Sequence, residues 1–298
     1  MIIKERDSRA KDIAELTELL SCNITNRQKF LIEQEINSIK KGESGEDDSA
    51  YYINFYYGDS DRWIVIHDLR IEFNGKVAQI DHILINRLFD IYILESKNYR
   101  YGIRITTNGE FEAYYKRQYI GIPSPIEQNR RHIALLSELI KKYDLLPRRL
   151  SIPIKPRFLN YILISPKSII KRPSSKIFDT SSVIKADTLR SVINDNADNT
   201  NGIDALSSVA KLSSFSTIEK FGRKLVGFHR PSKINWRNKF GIDEKYNINH
   251  NNVNNHTKRG YFCARCKARI SDKEAKFCWN NKTRFKGKAF CYKCQKQV

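Results

Sequence analysis

Three side chains that can do chemistry stand in a short pattern: Asp81, then thirteen residues, then Glu95-Ser96-Lys97. Both acids lie in apolar runs, Ile80-Asp81-His82-Ile83-Leu84-Ile85 and Ile91-Tyr92-Ile93-Leu94-Glu95-Ser96-Lys97. A charge in such a run is costly to bury unless it is paired or bound to metal. Residues two apart on a strand share a face, so Glu95 and Lys97 point one way and Ser96 the other. If the two runs pair as a hairpin about Arg87-Leu88, Asp81 comes to lie beside Glu95. Two carboxylates and an intervening backbone carbonyl make a hard oxygen site suited to Mg²⁺. Such a metal polarises a phosphate and acidifies water, and Lys97 would orient that water or stabilise developing charge. A structural salt bridge of Lys97 with either acid is the competing reading of the same spacing.

A second pattern lies near the C-terminus. Cys263-Ala264-Arg265-Cys266 and Cys291-Tyr292-Lys293-Cys294 are two CxxC turns separated by twenty-four residues. Each turn presents two thiolates, and four thiolates satisfy tetrahedral Zn²⁺, so Cys263, Cys266, Cys291 and Cys294 are the expected ligands. Cys278, between Phe277 and Trp279, could replace one ligand but fits a packing role better. Cys22 stands alone and reads as a small buried apolar side chain. The final stretch is too short for an independent core, so metal would supply much of its folding free energy.

The chain of 298 residues carries a formal charge of +20 and a hydrophobic fraction of 40%. It can bury a sizeable core, and its charge suits a polyanion, nucleic acid first and an anionic membrane surface second. A Lys-, Asn- and Ile-rich composition can also follow from AT-rich coding. That bias would favour Glu as well as Lys, yet 53 basic residues stand against 33 acidic ones. No leader-like apolar run follows Met1, and no apolar stretch reaches a membrane span, so the expected compartment is the cytoplasm and no membrane partner is expected. From Lys258 to Val298 there are thirteen Lys or Arg and two acids. With zinc bound to four thiolates the excess is roughly +9. Arg265, Lys267, Arg269, Arg284, Lys286 and Lys288 are therefore expected to contact nucleic acid, with nearby aromatics either stacking on bases or filling the small core.

Several elements must position these groups. Residues 7–20 carry a helical apolar stripe, and the stretch from Phe30 to Ile39 continues it or forms a second helix. Gly42 and Gly45 punctuate the chain before a further helix that ends near Gly58. Trp63–Ile71, Lys76–Asn86 and Phe89–Asn98 read as strands, with Asn74-Gly75 as a hairpin turn. Residues 111–120 permit a fourth strand at the edge. Ser124-Pro125-Ile126-Glu127 opens a helix that runs to about Lys142, with Ser124 as cap and Glu127 completing a capping box. Phe158–Ser165 is a buried strand, and helices are expected near 186–194, 203–213 and 216–226. The polar, Asn-rich stretch 229–259 reads as a linker. Helix, three strands, helix and strand imply an α/β/α sandwich on a mixed sheet, followed by a small C-terminal zinc-binding module.

The segments GESGE (42–46), AQIDHILIN (78–86), IYILESKNY (91–99) and PIEQNRRHIALL (125–136) together resemble the NERD, or nuclease-related, domain of the PD-(D/E)xK restriction-endonuclease-like superfamily. The resemblance covers roughly residues 27–165 and extends at most to 228. It implies that Asp81 and Glu95 are ligands of Mg²⁺ or Mn²⁺ and that Lys97 is the catalytic lysine. It also implies that Glu46 assists the metal or water and that Gln128 reaches the site from the second core helix. Glu43 is a weaker candidate. His82 is expected on the face away from Asp81, and His132 either faces the phosphate groove or packs the helix. The expected organisation is a helical extension over 1–26, a nuclease-related domain over 27–228, a linker over 229–259 and a zinc module over 260–298. The expected activity is metal-dependent hydrolysis of DNA, with RNA left open. A nucleic-acid-binding scaffold without catalysis and a zinc-mediated protein-interaction module are the alternatives.

Overall fold

The computed structural model describes residues 1–99, 101–198, 212–242 and 261–297. Contacts divide the chain into two compact units, Met1–Tyr246 and Asn247–Val298.

The first unit is organised by a six-stranded mixed sheet. Its strands are β1 (Ile2–Lys4), β2 (Trp63–Phe73), β3 (Lys76–Asn86), β4 (Asp90–Lys97), β10 (Arg157–Ile164) and β12 (Val183–Lys185), in that spatial order. β2, β3 and β4 form an antiparallel meander, while β1 joins β2 and β10 joins β4 and β12 in parallel. Alternation along the strands builds two cores. Ile83, Ile85, Ile91 and Ile93 face one layer with Leu136 of α3 (Pro125–Lys142) and Phe221 of α5 (Phe215–Val226). Leu84, Tyr92 and Leu94 face the other with Ile53 of α2 (Asn26–Tyr57) and Ile193 of α4 (Leu189–Asp198). The result is the expected α/β/α sandwich. No helix among the described residues is long and apolar enough to cross a membrane.

Several expectations need correction. Gly42 and Gly45 do not interrupt the chain, since α2 is one helix of 32 residues running through both. At Gly45 a Cβ would lie 2.6 Å from Cβ of Asn98, so the glycine lets the helix approach the end of β4. Packing there outweighs the helix-propensity cost of about 1 kcal/mol. Residues 111–120 are not an edge strand of the main sheet. They form most of the hairpin β6 (Phe111–Tyr115) and β7 (Gln118–Ile122), in a separate four-stranded sheet with β5 (Ile103–Ile105) and β11 (Ile170–Lys171). A two-residue ladder, β8 (Arg148–Arg149) with β9 (Ile152–Pro153), follows α3.

At the start of α3, the Glu127 backbone N–H donates to Ser124 Oγ at 3.3 Å, but the Glu127 carboxylate pairs with Arg130, so the box closes on one side only. Residues 1–26 are no appendage. β1 lines the sheet edge, and α1 (Ala10–Leu19) buries Leu16 and Leu19 with Ile32 and Trp236. The expected linker likewise fails over 229–242. Trp236, in the short α6 (Trp236–Lys239), is fully buried and donates from Nε1 to Asp12 at 2.9 Å. An aromatic anchor amid polar residues leaves no period to read. The rest of that linker, and most of the helix expected at 203–213, lie outside the described residues.

The second unit holds a two-stranded ladder, β13 (Tyr261–Phe262) with β14 (Arg269–Ile270), and α7 (Asp272–Asn280), α8 (Lys282–Phe285) and α9 (Tyr292–Gln295). Its core is Ile270, Ala275, Cys278, Phe285 and Phe290.

Candidate functional site

The β3–β4 ladder pairs His82 with Leu94, and Asp81 and Glu95 lie at its open end. The Ser96 backbone N–H donates to Asp81 Oδ2 at 2.8 Å, which fixes that carboxylate beside the Glu95-Ser96-Lys97 segment. Glu95 is 3% exposed, and its Oε1 accepts from Lys97 Nζ at 2.6 Å and Gln128 Nε2 at 2.7 Å. Its Oε2 is buried without a hydrogen-bond partner, and so is His132 Nδ1, 3.6 Å away. Thus α3 contributes both Gln128 and His132, one helical turn apart. Glu46, on α2, is held at Oε2 by Arg6 at 2.8 Å.

These groups feel one another. Burial, then Glu95 and Glu46, push the Asp81 carboxyl well above its ordinary value, against the hydrogen bond from Ser96 and the attraction of Lys97. Burial raises Glu95 despite Lys97 and Gln128. Burial also raises Glu46, with Arg6 opposing and Asp68 and Glu95 assisting. For Lys97, burial pulls the ammonium down, but Glu95 and then Asp81 more than reverse it, so its pKa stands above the usual lysine value. Burial, Lys97 and Arg131 lower His132 to about 4, which leaves it neutral at pH 7. The structure therefore brings Glu46, Asp81, Glu95, Lys97 and Gln128 into one electrostatic neighbourhood. An acidic pocket with an unsatisfied buried carboxylate oxygen fits a hard cation.

The opposite face of the same strands carries a row of buried polar groups. His67 Nε2 lies 2.8 Å from Asn54 Oδ1, His67 Nδ1 lies 2.7 Å from His82 Nδ1, and His82 Nε2 lies 3.0 Å from Ser96 Oγ. An amide oxygen only accepts, so Nε2 of His67 carries its proton. His67 Nδ1 then accepts from His82 Nδ1–H, and His82 Nε2 accepts from the Ser96 hydroxyl. Burial, then nearby positive charge, lowers His67 to about 4. Burial first, then His67, holds His82 well below its usual value. His82 is accordingly structural, as its position opposite to Asp81 predicts.

Sequence reasoning missed Arg6, Asp68, His67 and Asn129. Arg6 and Glu46 are 40 positions apart, with no pattern linking them. Asp68 has a left-handed φ of 52° within β2, and its carboxylate accepts from the Asp7 backbone N–H at 3.2 Å and Gln79 Nε2 at 2.9 Å. A charge between His67 and Leu69 in an otherwise apolar run was the available signal. Asn129 is fully buried and donates to the Ile93 carbonyl at 2.8 Å, bolting α3 to β4.

In the second unit the sulfurs of Cys263, Cys266, Cys291 and Cys294 lie within 4.8 Å of one another, the only such group of ligand side chains among the described residues. The Cys263 N–H donates to the Ala268 carbonyl at 2.8 Å, and the Ala264 N–H to the Ala289 carbonyl at 2.8 Å, which ties the two turns together. Burial pushes the Cys263 thiol up, but the backbone N–H groups of Cys266, Cys291 and Arg265 outweigh it and bring it down to about 6. Hydrogen bonding with Cys291, then burial, pushes Cys294 up to about 12. Crowded thiols split in this way when one ionises before its neighbours, and a dication would let all four ionise. Cys278 stands apart, its sulfur accepting from the Phe290 N–H at 3.3 Å within the core.

Arg265, Lys267, Arg269, Arg284, Lys286 and Lys288 are all exposed. Phe285 and Phe290 fill the core, whereas Phe262, Phe277 and Tyr292 are exposed.

Residues 41–159 match the family model of the nuclease-related domain, a span that contains Glu46, Asp81, Glu95, Lys97 and Gln128. No curated protein and no solved structure matches the chain. The chain thus carries a nuclease-related, restriction-endonuclease-like domain, followed by a four-cysteine cluster compatible with zinc.

Proposed function

We propose that this protein hydrolyses DNA phosphodiester bonds with a divalent metal, Mg²⁺ or Mn²⁺, held by Asp81 and Glu95. The observation that carries the proposal is Glu95 Oε2, a buried carboxylate oxygen without a hydrogen-bond partner inside an acidic cluster. The other oxygen of the same carboxylate is engaged by Lys97 and Gln128, so the carboxylate is oriented rather than merely buried. When bound, the metal supplies Lewis-acid polarisation of the phosphate and a more acidic water.

The chain's own groups have separable tasks. Lys97, anchored by Glu95, presents its ammonium to the attacking water and to the charge that builds on the phosphoryl oxygens. Gln128 fixes the rotamer of Glu95 through Oε1. Glu46, whose raised pKa brings it nearer neutrality, accepts the proton of the attacking water at Oε1 while Arg6 holds Oε2. The exposed bases of the zinc module, together with its exposed aromatic side chains, bind the nucleic-acid backbone and hold substrate. An inert nucleic-acid-binding scaffold would have no use for an unsatisfied buried carboxylate oxygen, and the observation weighs against that alternative.

The test is incubation of the purified full chain with linear, circular and single-stranded DNA, with and without Mg²⁺. Metal-dependent cleavage that disappears in both Asp81→Ala and Lys97→Ala is the expected result. Cleavage that persists in both variants would locate the activity elsewhere and sink the proposal.

A further inference from the structure

Beside the acidic cluster lies a groove of about 720 Å³, lined by Lys41 and Asp48 of α2, by Tyr99, Tyr101 and Tyr114, and by Lys167. That volume falls in the ~300–1,000 Å³ range of pockets that enclose a small organic ligand. A second concavity adjoins it and shares Tyr101 and Tyr114, adding Tyr119 and Lys171. With Tyr115 also lining the larger hollow, five tyrosines line two neighbouring hollows on and around the small sheet.

Three features separate this surface from an ordinary exposed sheet. The first is its construction. The Gly102 N–H donates to the Tyr99 carbonyl at 2.9 Å, the Tyr114 N–H donates to the Gly102 carbonyl at 3.1 Å, and Ser168 Oγ donates to the Tyr99 carbonyl at 2.7 Å. Gly102 has a φ of 107°, and a Cβ there would lie 2.4 Å from the Ile169 carbonyl oxygen, so the turn bearing Tyr101 is built around a glycine. The second is charge. Arg104, ion-paired with Glu112, stacks 4.0 Å above the Tyr119 ring, and the lysines add charge, with Lys171 5.5 Å from that ring and Lys116 5.4 Å from the Tyr115 ring. Asp48 is the acidic member among the described residues of the larger hollow. The third is continuity. Tyr99 follows Lys97 by two positions, and burial raises its phenol, with Lys97 opposing and Glu95 assisting.

Aromatic faces interleaved with cations, on a track leading to carboxylates, match the chemistry of an unpaired nucleic-acid strand. Bases stack on the rings, while phosphates meet the lysines. A duplex keeps its base faces hidden inside its own stack, so it could use only the cations. We propose that the tyrosine-lined groove binds the unpaired bases of single-stranded DNA adjoining the scissile phosphate, making a single strand or a frayed end the preferred substrate of this site. This inference rests on the nuclease reading above and adds the substrate class to it.

The experiment uses the full chain, without added divalent metal, and reads binding alone, so a protein that cuts nothing still passes or fails it. The probes are a fluorescein-labelled oligothymidylate, a duplex of equal length, and the same oligothymidylate carrying 5-iododeoxyuridine for photo-cross-linking. Tyr101 and Tyr115 are 56% and 53% exposed, so their substitution leaves the core untouched. Tyr101→Ala and Tyr115→Ala are expected to weaken oligothymidylate binding by about tenfold each, the scale of one lost base stack. Their effect on the duplex should be less than about twofold, and Tyr101→Phe should bind as the parent does, since the ring is what stacks. Cross-links in the unsubstituted protein should map to peptides within residues 99–122. Unchanged single-strand affinity in both alanine variants would overturn the proposal. An equal loss on the duplex, or cross-links confined to 261–297, would do so as well.

Discussion

The two candidate metal centres of this chain are assembled by opposite means. The carboxylate cluster is a product of long-range order: Glu46, Asp81, Glu95 and Gln128 come from four separate elements, and sheet register plus helix packing brings them together. The cysteine cluster is local, made by two tight turns within 32 residues and surrounded by a core of a few side chains. The first scaffold stands on extensive apolar layers and tolerates an electrostatically unfavourable site. The second has little besides its sulfurs. On the reading proposed above, the first site costs its fold stability, while the second, once loaded with zinc, provides it.

That contrast can be broken most forcefully by removing metal. Chelation, or Cys263→Ser, is expected to unfold the second unit, because structural zinc contributes about 10–16 kcal/mol in small modules. Amide exchange should show protection lost over residues 261–297 and kept in β3 and β4. Retained protection in the second unit would mean that its apolar core suffices. Cys278→Ala should leave the bound-metal stoichiometry unchanged, since its sulfur lies outside the cluster.

The next largest effect concerns Asp81. Asp81→Asn should reduce cleavage by about a thousandfold, the scale of a lost electrostatic contact in a transition state. The same variant should be more stable than the parent at pH 7 in the absence of added metal. The sign follows from the raised carboxyl: the folded state binds the proton more tightly than the unfolded one, so the ionised form at neutral pH opposes folding. Urea midpoints measure this, and a lower midpoint for the variant would show that the acidic cluster is already neutralised.

A smaller effect tests the face beneath the site. His67 falls from about 6.5 to about 4 on folding, so the unfolded chain binds the extra proton between those values. Stability is therefore full above the upper value and is lost as pH falls through this window. Between pH 7 and pH 5 the loss from His67 is about 2 kcal/mol. A His67→Asn variant, though weaker overall, should show a correspondingly flatter dependence of its urea midpoint on pH.

The smallest predicted change is in the second unit's affinity for nucleic acid. Replacing Arg269 and Lys286 together by Ala should reduce the slope of log K against log salt by about 1.8, near 0.9 per duplex phosphate contact. An unchanged slope would remove these bases from the interface.

Legibility follows the same division. The cysteine pairs could be read because ligand identity and turn spacing are both local. The strand Lys76–Asn86 and the helix Pro125–Lys142 could be read because alternation, a Ser cap and Pro125 are local too. Pairing that strand with the next about Arg87-Leu88 places Asp81 beside Glu95 and Lys97, whereas Gln128 is placed at the site only by the family resemblance. What stayed hidden depends on tertiary fit. Continuity of α2 through Gly45 is set by Asn98, Arg6 reaches Glu46 across 40 positions, and Trp236 turns an apparently unpatterned stretch into part of the core. The small sheet was half visible, as alternation at 111–120, but nothing nearby reveals that β5 and β11 pair with each other rather than with the main sheet.

The row from Asn54 through His67 and His82 to Ser96 has one further consequence. Each imidazole gives one proton and takes one, so the sequence of donors runs in a single direction from strand β4 to helix α2. A slip of β2 against β3 by one residue would carry the two imidazoles to opposite faces and leave buried nitrogens bare, at about 1–3 kcal/mol for each. Misaligned sheets are thereby disfavoured before any substrate arrives. The row acts as an alignment gauge: the strand pairing that satisfies it is the pairing that sets Asp81 beside Glu95.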